Sequence, residues 1–318
     1  MTRPLVSIVI ATYKSRVDHL SVAIASALNQ SWAELEVIVS DDSPDDSLRR
    51  VTDSFRDARL RYRHNVPALG VARNHWASFG VAQGEFIAVL NHDDWLAPHF
   101  VERLADVLLR EPCAAVAFCD HWVIDTWGRR LDAQSDLNSA VYGRAGLAEG
   151  MHRPFVHLVG LQTLPVAMGA LFRRRALPAV LPDHAGPAYD LWLAYLLCAS
   201  ADGAWYIPQR LSAWRAHENS LSSQGDLAWL QGSAACWREM ARDKRLASIR
   251  PLARRKAALG YFSCASRAWA GGRRAECLRF ASLSLSALLT FKGVVACLLP
   301  LLPRRLAPAR WLRGQGAA

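Results

Sequence analysis

Apolar residues near the N-terminus come in short β-branched runs, each stopped by a polar loop. Residues 5–10 read LVSIVI and lead into Ala11, Thr12, Tyr13 and Lys14; residues 35–39 read LEVIV and lead into Ser40, Asp41, Asp42, Ser43 and Pro44. Between them, residues 18–30 set Leu20, Ile24, Ala27 and Leu28 on one helical face. Strand, helix and strand thus fit within roughly 35 residues, as a parallel crossover requires. The alternation continues with a strand over 60–63, a helix over about 71–82 and a strand from Phe86. The pattern predicts an α/β fold with an open, mainly parallel sheet flanked by helices. Ligands of such sheets bind beyond the carboxyl ends of the strands, where the loops carrying Tyr13, Asp42 and the pair Asp93 and Asp94 all fall.

That acidic pair closes the segment FIAVLNHDDW, residues 86–95. Hard cations such as Mg²⁺ take oxygen ligands, often one or two protein carboxylates with phosphate and water in the remaining positions. A strand-end Asp-Asp pair therefore suits a metal–diphosphate site, although Asn and Asp also favour plain solvated turns.

Charge divides the chain. Residues 1–240 carry 22 Lys and Arg against 26 Asp and Glu, whereas residues 241–318 carry 16 against 2. This separates a catalytic-sized region, 1–240, from a C-terminal region, 241–318, with a net charge of +14. In the latter, residues 250–280 read as basic helix with a Gly271–Gly272 turn, which suggests a helix pair. Residues 281–303 are strongly apolar but interrupted by Lys292 and Pro300, leaving segments short of the roughly 20 residues a membrane span needs. Interfacial attachment to an anionic membrane suits this mixture; a helical hairpin packed on the rest of the chain is the other reading. Nothing resembles a nucleic-acid-binding fold or stacking platform. The seven cysteines are scattered and show no CxxC pair, which points to reduced thiols rather than a disulfide framework or zinc site. Residues 1–25 lack the order of a secretory signal, so a cytoplasmic location is expected.

Five ordered segments, SIVIATYKS, EVIVSDDSPDD, GVARNHWASFGVAQGEFIAVLNHDDW, YDLWLAYLL and LSAWRAHENSLS, resemble successive signatures of the family 2 glycosyltransferases across residues 5–220. The resemblance implies a GT-A fold, here followed by a C-terminal helical appendage. It implies an inverting transfer from a metal-bound UDP- or dTDP-sugar to a hydroxyl of a glycan or lipid-linked acceptor, as in cell-surface polysaccharide biosynthesis. With the basic tail, that places the expected enzyme peripherally on the inner face of the cell membrane. A processive synthase is disfavoured, since it should carry several membrane spans.

Carried over by position, the resemblance implies that Ala11, Thr12, Tyr13 and Asp42 hold the nucleotide base. Asp42 would accept the imide N–H, because a carboxylate is acceptor-only, and Tyr13 would stack or else pack on the neighbouring helix. Arg73 and Arg215 would lie near the donor's phosphates. Asp94 would ligate Mg²⁺ or Mn²⁺ directly, with Asp93 on the ribose or a metal-bound water and His217 as a further ligand. The commoner pattern has Asp at the position of Asn91, and His92 is a softer group less suited to Mg²⁺. The general base would be Asp190. Many relatives use a carboxylate at the position of Ala188, so Asp183 remains an alternative, as does a catalytically inactive nucleotide-sugar sensor or scaffold. A nucleotidyltransferase is the third reading, weakened by the lack of a Gly-rich basic loop after the first strand.

Overall fold

A computed structural model describes residues 3–177, 180, 182–200, 202–216 and 226–301. The chain divides into two compact units, one within Met1–Leu181 and Leu193–Ala216, the other within Pro182–Trp192 and His217–Ala318. The charge break at 240 therefore falls inside the second unit.

The first unit is built on a nine-stranded sheet. Its strands are β1 (Val6–Thr12), β2 (Leu35–Asp41), β3 (Leu60–His64), β4 (Phe86–Val89), β5 (Trp95–Leu96), β6 (Ala114–Ile124), β7 (Gly150–His152), β8 (Ala170–Arg173) and β9 (Gly203–Arg215). They run in the spatial order β3, β2, β1, β4, β8, β6, β9, β5, with β7 added on β9. β1, β2, β3 and β4 are mutually parallel, as are β6 and β9, while β8 runs antiparallel to both β4 and β6. Six carboxyl ends consequently share one edge. Both central strands β1 and β2 are buried along their whole length, which explains their unbroken apolar runs in place of an alternating pattern. The register pairs Thr12 with Asp41 and Asp41 with His64, so the β1 and β2 loops leave side by side.

Helices α1 (Val17–Leu28), α2 (Arg49–Asp53), α3 (Val71–Val81), α4 (Phe100–Arg110), α5 (Asp132–Val141) and α6 (Val156–Gly160) complete this unit. α4 illustrates the logic: Phe100, Val101, Leu104, Ala105, Val107 and Leu108 are buried at helical spacing while the charged positions between them face out. Deleting one such leucine side chain would cost about 2–5 kcal/mol.

The chain passes between units within α7 (Tyr189–Ala199). The second unit adds α8 (Leu227–Arg242), α9 (Arg250–Ala270), α10 (Arg274–Ala287) and α11 (Phe291–Leu298). α9 and α10 form the expected pair, turning at Gly271 and Gly272, the latter at φ +78°. Their core joins Tyr261, Cys264, Trp269, Cys277 and Phe280 with many alanines, and extends to Ala296 and Leu299 of the apolar run. α8 packs closely on the segment before α7: a Cβ at Gly232 would lie 2.3 Å from the Ala185 carbonyl oxygen. Among the described residues no helix is long and apolar enough to cross a membrane.

Candidate active site

The loop after β1 leaves Tyr13 55% exposed, so much of its ring is open to solvent. Lys14 Nζ lies 5.3 Å from the ring centroid. Ala11 and Thr12 are buried, and the Thr12 carbonyl accepts the Asp42 N–H at 2.9 Å, tying the first loop to the second.

In the second loop the two aspartates divide their work. Asp41 Oδ1 accepts the Ser43 N–H at 2.8 Å and Oδ2 accepts the Tyr62 hydroxyl at 2.7 Å, closing an Asx turn. Asp42 Oδ1 lies 2.8 Å from Asn65 Nδ2, and Oδ2 accepts the Gly70 N–H at 2.7 Å. Gly70 has φ +83°, which favours glycine, and it opens α3. Asn65 Nδ2 also reaches Asn74 Oδ1 at 3.0 Å, and Asn74 Nδ2 donates to the Ser40 carbonyl at 2.9 Å. Asp42 is 4% exposed and thus holds the start of α3 as well as lining the edge; each carboxylate oxygen keeps a second lone pair for another donor. Sequence reasoning missed Asn65, Gly70 and Asn74; their signal was polar and glycine residues directly after β3. Arg73 is exposed on α3.

The acidic pair after β4 separates sharply. Asp94 is fully buried; Oδ1 accepts the Arg215 backbone N–H at 2.8 Å and Oδ2 accepts Asn91 Nδ2 at 2.9 Å. Burial, then the charge of Asp93, pushes its carboxyl well above the usual carboxylate range. Asp93 is partly exposed. Arg215 is 4% exposed, with Nε on the Asp93 carbonyl at 2.7 Å and Nη1 on the Asp125 and Thr126 carbonyls at 3.0 Å. It ties the ends of β4, β6 and β9 together. His92 Nδ1 is buried without a hydrogen-bond partner among the described residues. His217 lies outside the described residues.

Asp190 stands in the first turn of α7, partly buried, with Oδ1 accepting the Leu191 N–H at 2.8 Å. Burial raises its pKa against the opposing pull of backbone N–H groups. Ala188 is fully buried, and its Cβ is 3.4 Å from where a Gly232 Cβ would stand, so a carboxylate at 188 would meet α8. The Asp183 side chain lies outside the described residues.

Among the described residues no three His, Cys, Asp or Glu side chains cluster as a metal cage. The donors the acidic pair supplies are hard carboxylate oxygens, which suit Mg²⁺ or Mn²⁺ shared with a diphosphate rather than a soft-metal centre.

Residues 7–177, more than half of the chain, match the family described as Glycosyl transferase family 2. The UDP-Glc:alpha-D-GlcNAc-diphosphoundecaprenol beta-1,3-glucosyltransferase WfgD of Escherichia coli is 37% identical over 95 residues, which are 29% of this chain and 37% of that protein. Chondroitin synthase of Escherichia coli is 30% identical over 151 residues, 46% of this chain and 21% of the synthase. The match therefore spans well under half the length of either relative. In fold, the chain is similar to S. aureus TarS 1-349 in complex with UDP, with TM-score 0.62 and 14% identity over 98% of this chain and 92% of that one.

Proposed function

The chain belongs to glycosyl transferase family 2, and from that premise we propose that it moves a sugar, with inversion, from a UDP- or dTDP-sugar to a hydroxyl of a glycan or lipid-linked acceptor in polysaccharide biosynthesis. The observation that carries this reading is the parallel placement of β2, β1 and β4, whose loops bring Asp42, Tyr13 and Asp93 to one sheet edge. Tyr13 offers an open ring for the base, and the Thr12–Asp42 hydrogen bond ties its loop to the Asp42 loop. Asp93, the more exposed of the acidic pair, is the better candidate to meet a divalent cation, while Asp94 holds the loop from behind.

Such a cation, when bound, would neutralise charge growing on the departing diphosphate. Asp190 is the proposed base: its carboxylate takes the proton of the acceptor hydroxyl as that oxygen bonds to the anomeric carbon, and the bond to diphosphate breaks on the opposite face. A carboxyl raised toward neutrality by burial is a stronger base than an exposed one.

The acceptor's lipid link accords with the C-terminal helices, where Leu289, Phe291, Val294, Leu298 and Leu301 are exposed within the basic region. We assign these to reversible attachment at the inner membrane face. The deciding experiment is a thermal-shift screen of UDP, dTDP and their sugars with and without Mn²⁺, since a ligand of the native state raises apparent stability. A Mn²⁺-dependent rise with one nucleotide class is expected. No rise with any nucleotide would end this reading, and donor binding without hydrolysis or transfer would leave an inactive sensor.

A further inference from the structure

Between α8, α9 and the end of α10, the second unit holds a recess of about 310 Å³ whose charged lining is Arg238, Arg242, Arg250 and Arg254. The spacing builds it: 238 and 242 share one face of α8, and 250 and 254 share one face of the first turns of α9. Like charges four apart on a helix repel, so folding alone does not favour two such pairs around one hollow. Among the described residues the carboxylate paired with them is Glu239, 3.1 Å from Arg242 and 3.8 Å from Arg238, leaving an excess of three positive charges. Arg238 Nε is buried without a hydrogen-bond partner among the described residues. Arg254 Nε is spent on the Ala287 carbonyl at 3.0 Å, which fixes the guanidinium against the wall. α9 starts here at Arg250 with no side-chain cap at Ile249, so the positive end of a 21-residue helix dipole adds to the field.

Guanidinium forks match phosphate oxygens in geometry as well as charge. The recess is at the small end of ligand sites, about 300–1,000 Å³, with room for a phosphate group or a diphosphate. One wall ends at Ala287, and two residues on begin the exposed apolar side chains Leu289 and Phe291, 78% and 84% exposed. An anion seated here would therefore lie beside groups suited to acyl chains. We propose that this recess is a phosphate-binding site whose ligand is the headgroup phosphate of a membrane lipid; the lipid source rests on the membrane reading above, the phosphate chemistry does not.

The test uses the full chain in EDTA, so that any metal-dependent diphosphate site is silent, and titrates sodium pyrophosphate calorimetrically. Wild type should bind, and Arg242→Gln/Arg250→Gln should bind at least tenfold more weakly; the single variants serve if the double variant does not fold. No binding by wild type, or equal binding by the variants, overturns the site. In the second arm, phosphatidylcholine vesicles with phosphatidic acid should float wild type, and pyrophosphate or the double substitution should release it. If the double variant binds pyrophosphate weakly yet floats like wild type, the lipid source is wrong and the ligand is a free phosphate. Phe291→Ser/Leu298→Ser should float more weakly, its residual binding removed by salt, while keeping pyrophosphate affinity, which separates failure of membrane insertion from failure of the anion site.

Discussion

Asp93 and Asp94 differ by one position and by nearly everything that decides a side chain's use. Removing the Asp94 carboxylate leaves the buried Arg215 N–H without its acceptor, a loss of about 1–3 kcal/mol. Asp94→Ala should accordingly lower the denaturation midpoint, whereas Asp93→Asn should chiefly abolish the Mn²⁺-dependent thermal shift with the donor nucleotide. Unchanged donor binding by Asp93→Asn would assign the metal to Asp94 instead. Asp190 supports a second prediction. Its pKa is raised by burial, and only the ionised form accepts a proton, so transfer should rise with pH through a limb lying above the ordinary carboxylate value of about 4. Asp190→Asn should reduce transfer by at least about a hundredfold and remove that limb from the kcat/KM profile, with donor affinity retained. An active Asp190→Asn beside an inactive Asp183→Asn would move the base to Asp183. What the sequence could show at this scale was which loops end strands; it could not show that Asp94 meets Arg215, because that partner is 121 residues away and contributes its backbone.

The elements most legible in sequence were those stabilised by local periodicity: β1, α1, β2, β3, α3 and β4 form within a residue or two of the expected spans. The antiparallel β5, β7 and β8 are two to four residues long, too short to carry a pattern. In the stretch from 129 to 165, apolar side chains such as Phe155, Leu158 and Val159 are buried, but its first half is also held by polar contacts to distant residues that no local pattern reveals. There Asp120, at an irregularity in the β6–β9 register, binds Arg144 Nε at 2.7 Å, the Ser139 hydroxyl and Arg210 Nε at 3.4 Å. Burial opposes ionisation of Asp120, yet the Ser139 and Arg144 hydrogen bonds and the Arg144 charge hold its carboxyl below the usual range. Arg144 is itself 3% exposed, so Asp120→Asn strands a buried guanidinium and should cost about 3–5 kcal/mol in denaturant unfolding. Because the folded-state pKa is depressed, this stabilisation is fully present above about pH 4 and fades as pH falls through the depressed value. Wild type should lose stability over that acid window, and Asp120→Asn should lose less. Equal acid sensitivity in both would show that the network does not stabilise the packing of α5 on β6.

At the scale of the whole molecule, the charge asymmetry and the interrupted apolar run read from sequence turn out to be one construction. Half of that run packs inward, with Ala281, Ala287, Ala296 and Leu299 buried, and half faces out, with Phe291, Val294, Leu298 and Leu301 exposed at helical spacing. The buried side chains join the helical core, and the exposed ones, on α11 and just beyond it, form the face on which membrane contact is proposed. The two sides also dictate the experiment. Cutting the chain near 240 would strip α8 of α9 and α10, against whose core Ala234, Leu227 and Leu230 pack, so loss of binding after such a cut would report unfolding. Point substitutions on the outer face avoid this. Each basic residue near an anionic surface contributes on the order of 1 kcal/mol, and this falls away with salt. Burial of a large apolar side chain contributes roughly 1.5–3 kcal/mol and does not. Full-length protein should therefore float with anionic vesicles at low salt and remain partly bound at high salt. Phe291→Ser/Leu298→Ser should leave only the salt-sensitive part, lowering partition by roughly tenfold per side chain, with the thermal midpoint preserved because neither side chain belongs to the helical core. If the full-length protein stays unbound at low salt, the exposed face serves something other than a membrane and the peripheral location falls with it.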